Sequence, residues 1–439
     1  MTAPPAPTAF VGLSHLGIVS GVAWASFGQP VIGYDPRADV VAALEKKVLP
    51  IHEPGLPELV DQSKTWMGFS TDKTKLAACP LVFVSLDVPT RADNTSDLAP
   101  LWSLIEEIVP VLEPGVVLVM MSQVPIGFNR ELMRRIEALR PGFIYNLYYC
   151  VETLVIGNAV TRALAPERFI VGCDDPSMPL AEILREGFRR YGCPIIQMGY
   201  ESAELTKMAI NLYLTSSVTY ANVLAELCAK ISADWSEIVP ALKLDQRIGP
   251  FAYLRPGLGI GGGNLERDLT TLRELCDRNG INTNYIDALV GYNAQRYHWA
   301  LRMLRQYVFE RNPAPNLAVW GLAYKKNTRS LRNSPAVRLI QDLGARADVR
   351  AWDPMVLASA LDLPARIMPS KEAVLKDADG LVIMTDWDEF AAFDPDVLRS
   401  SMRRPVVIDC VGVLESNRSR LAGVEYISTG RAPLTEVKS

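Results

Sequence analysis

Residues that bind metals are scarce in this sequence. Its 439 residues include three histidines, at positions 15, 52 and 298, and seven scattered cysteines that form no CxxC pair. Structural zinc sites need closely spaced cysteine and histidine ligands, so the sequence predicts no metal site. Scattered free thiols are typical of a reducing compartment, and we therefore expect the protein to be cytoplasmic.

The sequence also lacks an excess of charge of one sign and long apolar runs. Its 45 Lys and Arg residues against 49 Asp and Glu residues give a formal net charge of −4, without the basic excess that nucleic-acid binding requires. No apolar run reaches the roughly 18 residues of a membrane span, and residues 1–9 do not resemble a secretory signal. We expect neither a nucleic acid nor a membrane as a partner.

What is present is the pattern of an α/β protein of several domains. In the first 200 residues, helical patterns alternate with short apolar runs at 9–11, 30–35, 81–86, 115–121, 143–147 and 168–172. Such alternation predicts a mostly parallel sheet with helices on both of its faces. After a proline-containing linker, further strands are predicted at 317–322, 348–352, 380–384 and 405–409.

The middle of the chain is predicted to be helical. Residues 202–231 contain neither proline nor glycine, and their apolar positions cover more than one helix face, so this helix should be buried or shared with a second subunit. A second long helix is predicted over 285–309. The predicted fold is α/β, with two Rossmann-like doubly wound domains joined by a helical central domain. We place their bounds at 1–200, 201–311 and 312–439.

The segment GLSHLG at positions 12–17 is an imperfect GxGxxG dinucleotide turn. In that motif the glycines allow a tight turn and close approach of the backbone to a pyrophosphate at a helix N-terminus. A strand–helix turn without a ligand is the alternative. An acidic residue at the end of the next strand suits a ribose 2′-hydroxyl and repels a 2′-phosphate, so NAD is favoured over NADP. The candidate cofactor-binding residues here are Gly12, Ser14, His15, Leu16, Gly17, Asp35 and Arg37.

Further ordered motifs run along nearly the whole chain. They read EPGL at 53–56, SQVPIG at 122–127, ELTK with Asn211 at 204–211, RIG followed by PGLGIGG at 247–262, and GLAYK at 321–325. In this order they resemble the UDP-glucose/GDP-mannose dehydrogenase family. That family uses NAD to oxidise a nucleotide sugar twice, from alcohol to aldehyde and then to acid, and its members form homodimers through the central helix.

The resemblance implies roles for residues that match the family motifs. It makes 1–200 the NAD-binding domain, 201–311 the dimerisation domain and 312–439 the nucleotide-sugar domain. It adds Pro89, Gln123 and Lys325 to the cofactor-binding residues. The substrate-binding candidates are Glu152, Leu154, Lys207, Asn211, Arg247, Tyr253, Gly257, Gly261, Lys325 and Arg332.

The departures from the family pattern concern its chemistry. Asn264 stands where the family's GGxCFPKD loop has its cysteine nucleophile, and an amide cannot form the thioester of the second oxidation. Gln123 replaces a threonine, Ile156 replaces a glutamate, and Val411 replaces an arginine. Cys150 is the nearest other thiol by motif position, and we interpret it as a structural residue.

The groups needed for one oxidation remain. Lys207 and Asn211 are four residues apart and therefore lie on one helix face, where they suit a proton relay and an oxyanion donor. Glu152 could accept the relayed proton. Together with Asn264 and Asp268 these residues are the catalytic candidates, and they predict a single hydride transfer that stops at the carbonyl.

Two alternatives use the same scaffold. The first is an enzyme that oxidises its substrate transiently and returns the hydride, so that NAD is retained and the product is an epimer or a rearranged sugar. The second is a catalytically silent protein that binds a nucleotide sugar. In all three hypotheses the small-molecule partner is a nucleotide sugar or a related nucleoside.

Overall fold

The computed structural model describes residues 5–91, 93–356 and 362–434. The chain divides into two compact units, Met1–Ile210 and Asn211–Ser439. The boundary falls within the long helix α8 (Tyr200–Ile231), which contains residues of both units. Among the described residues, no helix is both long and apolar enough to cross a membrane.

The first unit alternates strands and helices along the chain. Its elements are β1 (Thr8–Val11), α1 (His15–Ala25), β2 (Val31–Tyr34), α2 (Ala38–Glu45), α3 (Leu56–Ser63), β3 (Met67–Ser70), β4 (Leu81–Val84), α4 (Ala99–Ile108), β5 (Val116–Met120), α5 (Phe128–Leu139), β6 (Tyr145–Cys150), α6 (Ala159–Leu164), β7 (Phe169–Cys173), α7 (Glu182–Arg189) and β8 (Ile195–Gly199).

These strands form one eight-stranded sheet in the order β3-β2-β1-β4-β5-β6-β7-β8. All neighbouring pairs are parallel except β6 and β7, which pair antiparallel at Cys150 and Val171. Every residue of β1, β4 and β5 is buried, as expected for central strands covered by helices on both faces. The first six strands have the order of a dinucleotide-binding Rossmann fold.

The second unit begins with helices and ends with a sheet. After α8 come α9 (Trp235–Leu244), α10 (Asn264–Arg278), α11 (Asn284–Tyr297), α12 (Trp299–Leu304), β9 (Asn316–Trp320), α13 (Pro335–Leu343), β10 (Asp348–Trp352), β11 (Arg366–Ile367), β12 (Gly380–Ile383), α14 (Asp388–Ala391), α15 (Pro395–Ser401), β13 (Val406–Asp409) and β14 (Glu425–Ser428). The six strands are all parallel, in the order β11-β10-β9-β12-β13-β14, which repeats the topology of the first six strands of the other sheet.

The predicted fold class is confirmed, with two Rossmann-like sheets and a helical region. The predicted helix over 285–309 is wrong in detail, because α11 ends at Tyr297, α12 starts at Trp299, and a π-helical turn occupies Arg305–Phe309. Four short strands, β3, β8, β11 and β14, were not predicted. All four are edge strands, since β3 and β8 end the first sheet and β11 and β14 end the second. The three domain bounds stay a prediction.

Candidate active site

The turn between β1 and α1 has the geometry of a phosphate-binding loop. Gly12 has φ +90°, and a Cβ built on it would lie 2.7 Å from the Cβ of Leu86. A Cβ on Gly17 would lie 2.0 Å from the carbonyl oxygen of Gly12, so only glycine allows α1 to pack this closely on the turn. The first and third glycines of the motif are therefore required by the fold, and they fit a dinucleotide.

Ser14 replaces the second glycine and is tied to the neighbouring strand end. Its hydroxyl donates to the carbonyl of Ser85 at 3.2 Å and accepts the N–H of Asp87 at 2.8 Å. The Asp87 carboxylate in turn accepts the N–H of Leu16 at 3.3 Å, in the first turn of α1. The Leu16 N–H, one of the N-terminal helix donors without a partner inside the helix, therefore already has a hydrogen-bond acceptor in the protein.

Asp35 follows β2 and is fully buried beside the glycine turn. Its Oδ2 accepts the N–H of Leu13 at 2.8 Å, which joins the ends of β1 and β2. The Arg37 guanidinium binds both carboxylate oxygens, with Nε–Oδ1 and Nη2–Oδ2 distances of 2.9 Å. Hydrogen bonds from Arg37 hold the pKa of the Asp35 carboxyl below its ordinary value, against the opposing effect of burial.

The EPGL segment contributes a buried carboxylate that the site prediction did not include. Glu53 lies 3.0 Å from the His15 ring and accepts the N–H groups of Gly157 and Ala159 at 2.9 and 2.7 Å. It therefore joins the start of α1 to the segment that follows Glu152. The EPGL motif itself was the signal in the sequence, because a buried glutamate needs partners of this kind.

The remaining cofactor candidates of the first unit follow β4 and β5. Pro89 is exposed, and its carbonyl accepts the N–H of Asp97 at 2.8 Å. Gln123 is half-buried directly after β5. Since β1, β2, β4 and β5 are parallel neighbours, these residues lie at the same carboxyl edge as Gly12 and Asp35, where open α/β sheets bind ligands.

Lys207 and Glu152 form a polar pair in the first unit. The Lys207 Nζ donates to the Glu152 carbonyl at 2.8 Å and lies 3.4 Å from its carboxylate Oε2. Glu152 follows β6, and its carboxylate also accepts the N–H of Leu154. Both side chains are about 85% buried, at 13% and 15% exposure, so their positions are well defined by packing.

Cys150 is the last residue of β6 and is 2% exposed. Burial raises the pKa of its thiol to about 12, and the nearby Glu152 adds to this shift. Because the thiolate is the nucleophilic form, this burial makes Cys150 a poor nucleophile at neutral pH. The interpretation of Cys150 as a structural thiol is supported by this burial.

In the second unit, Asn211 donates its side-chain amide to the buried carboxylate of Asp268. Asp268 belongs to α10, whose first residue is Asn264. Asn264 is exposed, and it lies one helical turn before Asp268. Asn264 therefore has an accessible amide at a helix N-terminus.

The glycine-rich segment 256–263, here called the glycine loop, precedes α10 and is held by side chains of the helices. Asn222 accepts the Gly257 N–H at 2.8 Å, and the Arg296 Nε donates to the Gly257 carbonyl at 2.6 Å. Asn293 accepts the Ile260 N–H at 2.7 Å. Gly259 precedes Ile260, and a Cβ on Gly259 would lie 2.2 Å from the Asn293 Oδ1. The contact of Asn293 with this loop therefore also requires glycine at position 259.

A second loop joins the glycine loop through Arg332 and Asn333. The Gly262 N–H donates to the Arg332 carbonyl at 3.2 Å, and the Asn333 amide donates to the Gly262 carbonyl at 2.7 Å. Asn333 also donates to Glu266 of α10, which accepts the Tyr297 hydroxyl at 2.9 Å. Gly261 lies in the same contact, since a Cβ there would be 3.3 Å from the Asn333 carbonyl. The structure thus places the predicted residues Gly261, Asn264 and Arg332 close together.

Three other predicted residues lie at the surface of the second unit or near it. Lys325 is half-buried, with its Nζ 5.5 Å from the centre of the Tyr324 ring. Arg247 is 89% exposed and binds Asp245 through its Nε at 3.0 Å. Tyr253 is 57% exposed. Arg247 and Tyr253 therefore lie at the surface of this unit.

Val411 follows β13, at the position where the resemblance leads us to expect an arginine. Its carbonyl accepts a hydrogen bond from Arg255 at 2.8 Å, and Arg255 also pairs with Asp386 at 3.0 Å. An arginine from the glycine-loop segment therefore brings a guanidinium to this segment. No sequence motif indicates this role of Arg255, because only the fold brings it beside residue 411.

The second sheet repeats the glycine turn of the first. Gly321 follows β9 with φ +88°, and a Cβ on it would lie 2.5 Å from the Thr385 side chain. The carboxylate of Asp353, after β10, accepts the N–H groups of Leu322 and Ala323 at 2.7 and 3.0 Å. This arrangement matches that of Gly12, Leu13 and Asp35 in the first unit.

Family models match most of the chain. They are the NAD binding domain, the central domain and the UDP binding domain of the UDP-glucose/GDP-mannose dehydrogenase family, over residues 7–191, 201–295 and 318–416 respectively. The chain belongs to this family. As a UDP-glucose/GDP-mannose dehydrogenase family member it is an NAD-dependent oxidoreductase of the nucleotide-sugar dehydrogenase type.

Individual relatives agree with this assignment over their full length. A UDP-glucose 6-dehydrogenase of Rhizobium meliloti is 30% identical over 433 residues, which cover 96% of this chain and 98% of that protein. One of Haloferax volcanii is 31% identical over 432 residues, covering 95% and 98%. The structure of a UDP-glucose dehydrogenase from Pyrobaculum islandicum superimposes with a TM-score of 0.85 at 25% identity, covering 98% of each chain.

The NAD-binding domain of this family member has the features that the cofactor needs. Neither Gly12 nor Gly17 has room for a Cβ, so the β1–α1 turn can pack as tightly as a dinucleotide-binding turn requires at the α1 N-terminus. Asp35 and Arg37 follow β2, at the strand end where Rossmann folds bind the adenosine ribose. Among the described residues, no group of three or more His, Cys, Asp or Glu side chains could hold a metal ion.

Proposed function

We propose that this enzyme catalyses a single hydride transfer between NAD and an alcohol or carbonyl group of a nucleotide sugar, without forming a thioester. The observation that carries the proposal is Asn264, an accessible amide at the first position of α10, where the family motif has its cysteine. An amide nitrogen is not a nucleophile towards an aldehyde. The nearest other thiol by motif position, Cys150, is buried and has a raised pKa.

Lys207 and Glu152 would move the proton. Bound NAD supplies the hydride acceptor, while the alcohol proton must leave through a protein group. The Lys207 Nζ is held at 2.8 Å from the Glu152 carbonyl, which fixes its position. The Glu152 carboxylate, 3.4 Å from that nitrogen, would receive the proton or pass it to water.

Asn211 and Asp268 would stabilise the oxygen of the reacting group. Asp268 binds the Asn211 amide and thereby orients its remaining N–H, which could donate to a developing oxyanion. Asn264 would contribute a second amide donor at the helix N-terminus, where the helix dipole also favours negative charge. These are binding and orienting roles, and none requires a covalent intermediate.

The substrate would be a nucleotide diphosphate sugar or a related nucleoside. The model of a UDP binding domain matches 318–416, and the relatives named above are UDP-glucose dehydrogenases. Lys325 and Arg332, together with the glycine loop at Gly257 and Gly261, would bind the phosphates and the sugar. Arg247 and Tyr253 would act from the surface, in the second subunit of a dimer.

The homodimer is part of this proposal. Val223, Leu227 and Ile231 are spaced four residues apart on α8 and are 43%, 50% and 62% exposed. Such an apolar stripe on one helix face suits an interface with a second copy of the chain. We further propose a cytoplasmic location, since all seven cysteines are free thiols.

The test is the stoichiometry of NADH formed per sugar consumed. The enzyme is incubated with NAD and a panel of UDP-, GDP- and dTDP-sugars, NADH is followed by absorbance, and products are analysed by mass spectrometry with a carbonyl-trapping reagent. We expect one NADH per sugar, with a trapped aldehyde or ketone. Two NADH per sugar with an acid product would overturn the proposal.

The alternatives give other outcomes in the same assay. An epimerising or rearranging enzyme would change the sugar without net NADH, and would exchange a carbon-bound hydrogen in deuterated water if the carbonyl intermediate enolises. A silent binder would bind the nucleotide sugar in calorimetry and leave it unchanged. Retention of Lys207, Asn211 and Asp268 in contact with partners favours an enzyme.

A further inference from the structure

The carboxylate of Asp35 has no acceptor position left for a ligand. Its Oδ1 accepts the backbone N–H and the Nε–H of Arg37, at 3.0 and 2.9 Å. Its Oδ2 accepts the N–H of Leu13 and the Nη2–H of Arg37, at 2.8 and 2.9 Å. A carboxylate offers about four lone-pair positions, and all of them are used. The ribose hydroxyls of NAD can therefore bind Asp35 only after the Arg37 side chain has moved away.

The ion pair also removes the charge by which an acidic residue discriminates between NAD and NADP. An unpaired carboxylate at the ribose repels a 2′-phosphate, which is the usual reason for a preference for NAD. Here Asp35 is 1% exposed and Arg37 covers it, so the pair has no net charge at this position. Asp39, in the first turn of α2, also raises the pKa of Arg37, which keeps the guanidinium charged.

Arg37 itself has free capacity for an anion. A guanidinium has five N–H donors, and two of those of Arg37 are used by Asp35. The side chain is 54% exposed and stands at the N-cap of α2, next to the ribose position. The three remaining donors can bind two oxygens of a phosphate in the planar geometry that arginine provides.

We propose that Arg37 is a cofactor-specificity residue that binds the 2′-phosphate of NADP, so that this NAD-dependent enzyme also accepts NADP. NAD binds at the expense of the Arg37–Asp35 contact, whereas NADP binds with this contact in place. The two effects act in the same direction and reduce the preference for NAD. Removal of the guanidinium should restore the preference, because Asp35 is then free to accept the ribose hydroxyls and to repel the phosphate.

The experiment measures dissociation constants of NAD and NADP by calorimetry, without a sugar, for the unaltered chain and for Arg37→Ala. In the unaltered chain we expect NADP to bind within about tenfold of NAD. In Arg37→Ala we expect the ratio of the two constants to rise by at least about tenfold, the effect of losing a bidentate charge-assisted contact. The readout is binding alone, so it is independent of the proposed hydride transfer.

Two further variants make the result specific. Arg189→Ala removes an arginine of similar exposure (58%) that pairs with Glu186 on α7, and it should leave the ratio unchanged. Arg37→Lys keeps the positive charge but lacks the planar set of N–H donors. It should give a ratio between those of the unaltered chain and Arg37→Ala. The proposal would be overturned if NADP bound more than about tenfold more weakly than NAD in the unaltered chain. It would also be overturned if Arg37→Ala changed the ratio of the two dissociation constants by less than about tenfold.

Discussion

The ammonium group of Lys207 lies 2.8 Å from the carbonyl oxygen of Glu152 and 3.4 Å from its carboxylate. The two residues are 55 positions apart in the sequence, one on α8 and the other directly after β6. A carbonyl and a carboxylate together hold the lysine in one place while leaving it one donor. This is the arrangement that a proton relay needs, and it gives the first prediction.

Replacement of Lys207 by alanine should lower kcat by roughly 10²- to 10⁴-fold, the range for loss of a general acid or base. NAD binding should change little, since Lys207 is not among the residues at the Gly12 turn. Lys64→Ala, which removes an exposed lysine of the same unit, is the control and should behave like the unaltered chain. Unchanged turnover in Lys207→Ala would show that another residue carries the proton.

Asn264→Ala should reduce kcat by at most about 10²- to 10³-fold, the cost of losing one oxyanion donor, because no nucleophile is lost. Asn211→Ala should have the larger effect, since it also removes the amide that donates to the buried Asp268 carboxylate. Both are measured as initial rates of NADH formation with the sugar that supports turnover. Loss of all activity in Asn264→Ala, with normal NAD binding, would contradict an orienting role.

Thiol labelling should distinguish Cys150 from a cysteine introduced at position 264. In the folded protein, iodoacetamide at neutral pH should leave Cys150 unmodified, because burial raises its pKa to about 12. The variant Asn264→Cys should add one rapidly labelled site, since residue 264 is exposed at a helix N-terminus. Peptide mass spectrometry after short reaction times locates the labels. Modification of Cys150 before unfolding would reopen the question of its role.

Leu227→Asp should convert the expected dimer into a monomer. A charge placed in the middle of the stripe formed by Val223, Leu227 and Ile231 would have to be desolvated in the interface. Light scattering at micromolar concentration measures the change. Leu139→Asp, at an exposed leucine of α5 with 42% exposure, is the matched control and should leave the mass unchanged. A monomeric unaltered chain would remove the proposal of a dimer.

Glu204→Ala should destabilise the protein by about 3 kcal/mol or more. Glu204 is fully buried and accepts the Gly127 N–H at 2.6 Å, together with the backbone and side-chain N–H groups of Asn129 at 2.9 and 2.8 Å. The variant leaves buried donors unpaired at the start of α5, each of which costs about 1 to 3 kcal/mol. Urea unfolding measures the difference.

Glu201→Ala is the control for that measurement. Glu201 lies one turn earlier on α8, is 51% exposed, and pairs with Arg130 at 2.9 Å. An exposed pair of this kind contributes less than about 1 kcal/mol. If the two variants were equally stable, the buried hydrogen bonds of Glu204 would not have the stabilising role assigned to them.

Much of the fold followed from local patterns. Fully apolar runs such as those of β4 and β5 are typical of central parallel strands, and the structure confirms them. The edge strand β11 has only two residues, too few for a periodic signal. The break at His298 between α11 and α12 could not be predicted from the sequence, because it contains neither proline nor glycine.

Sequence alone determined those features that depend on neighbours in the chain. The contact between Asp35 and Arg37 is one of them, because an Asp-x-Arg sequence forms the same fork at Asp245 and Arg247, with Nε–Oδ1 distances of 2.9 and 3.0 Å. The glycine turn at positions 12–17 is another, since glycine is needed for the positive φ of its first residue.

Only the tertiary structure decided which distant groups meet. Glu53 contacts His15 and the start of α6, Asn211 contacts Asp268, and Arg255 reaches the carbonyl of Val411, across 38 to 156 positions of sequence. It also decided that the Asp35 fork lies beside Leu13 at a ligand-binding edge, whereas the equivalent fork at Asp245 is exposed. The reason is physical: such contacts depend on strand order and helix packing, which bring together side chains whose local sequences contain no information about each other.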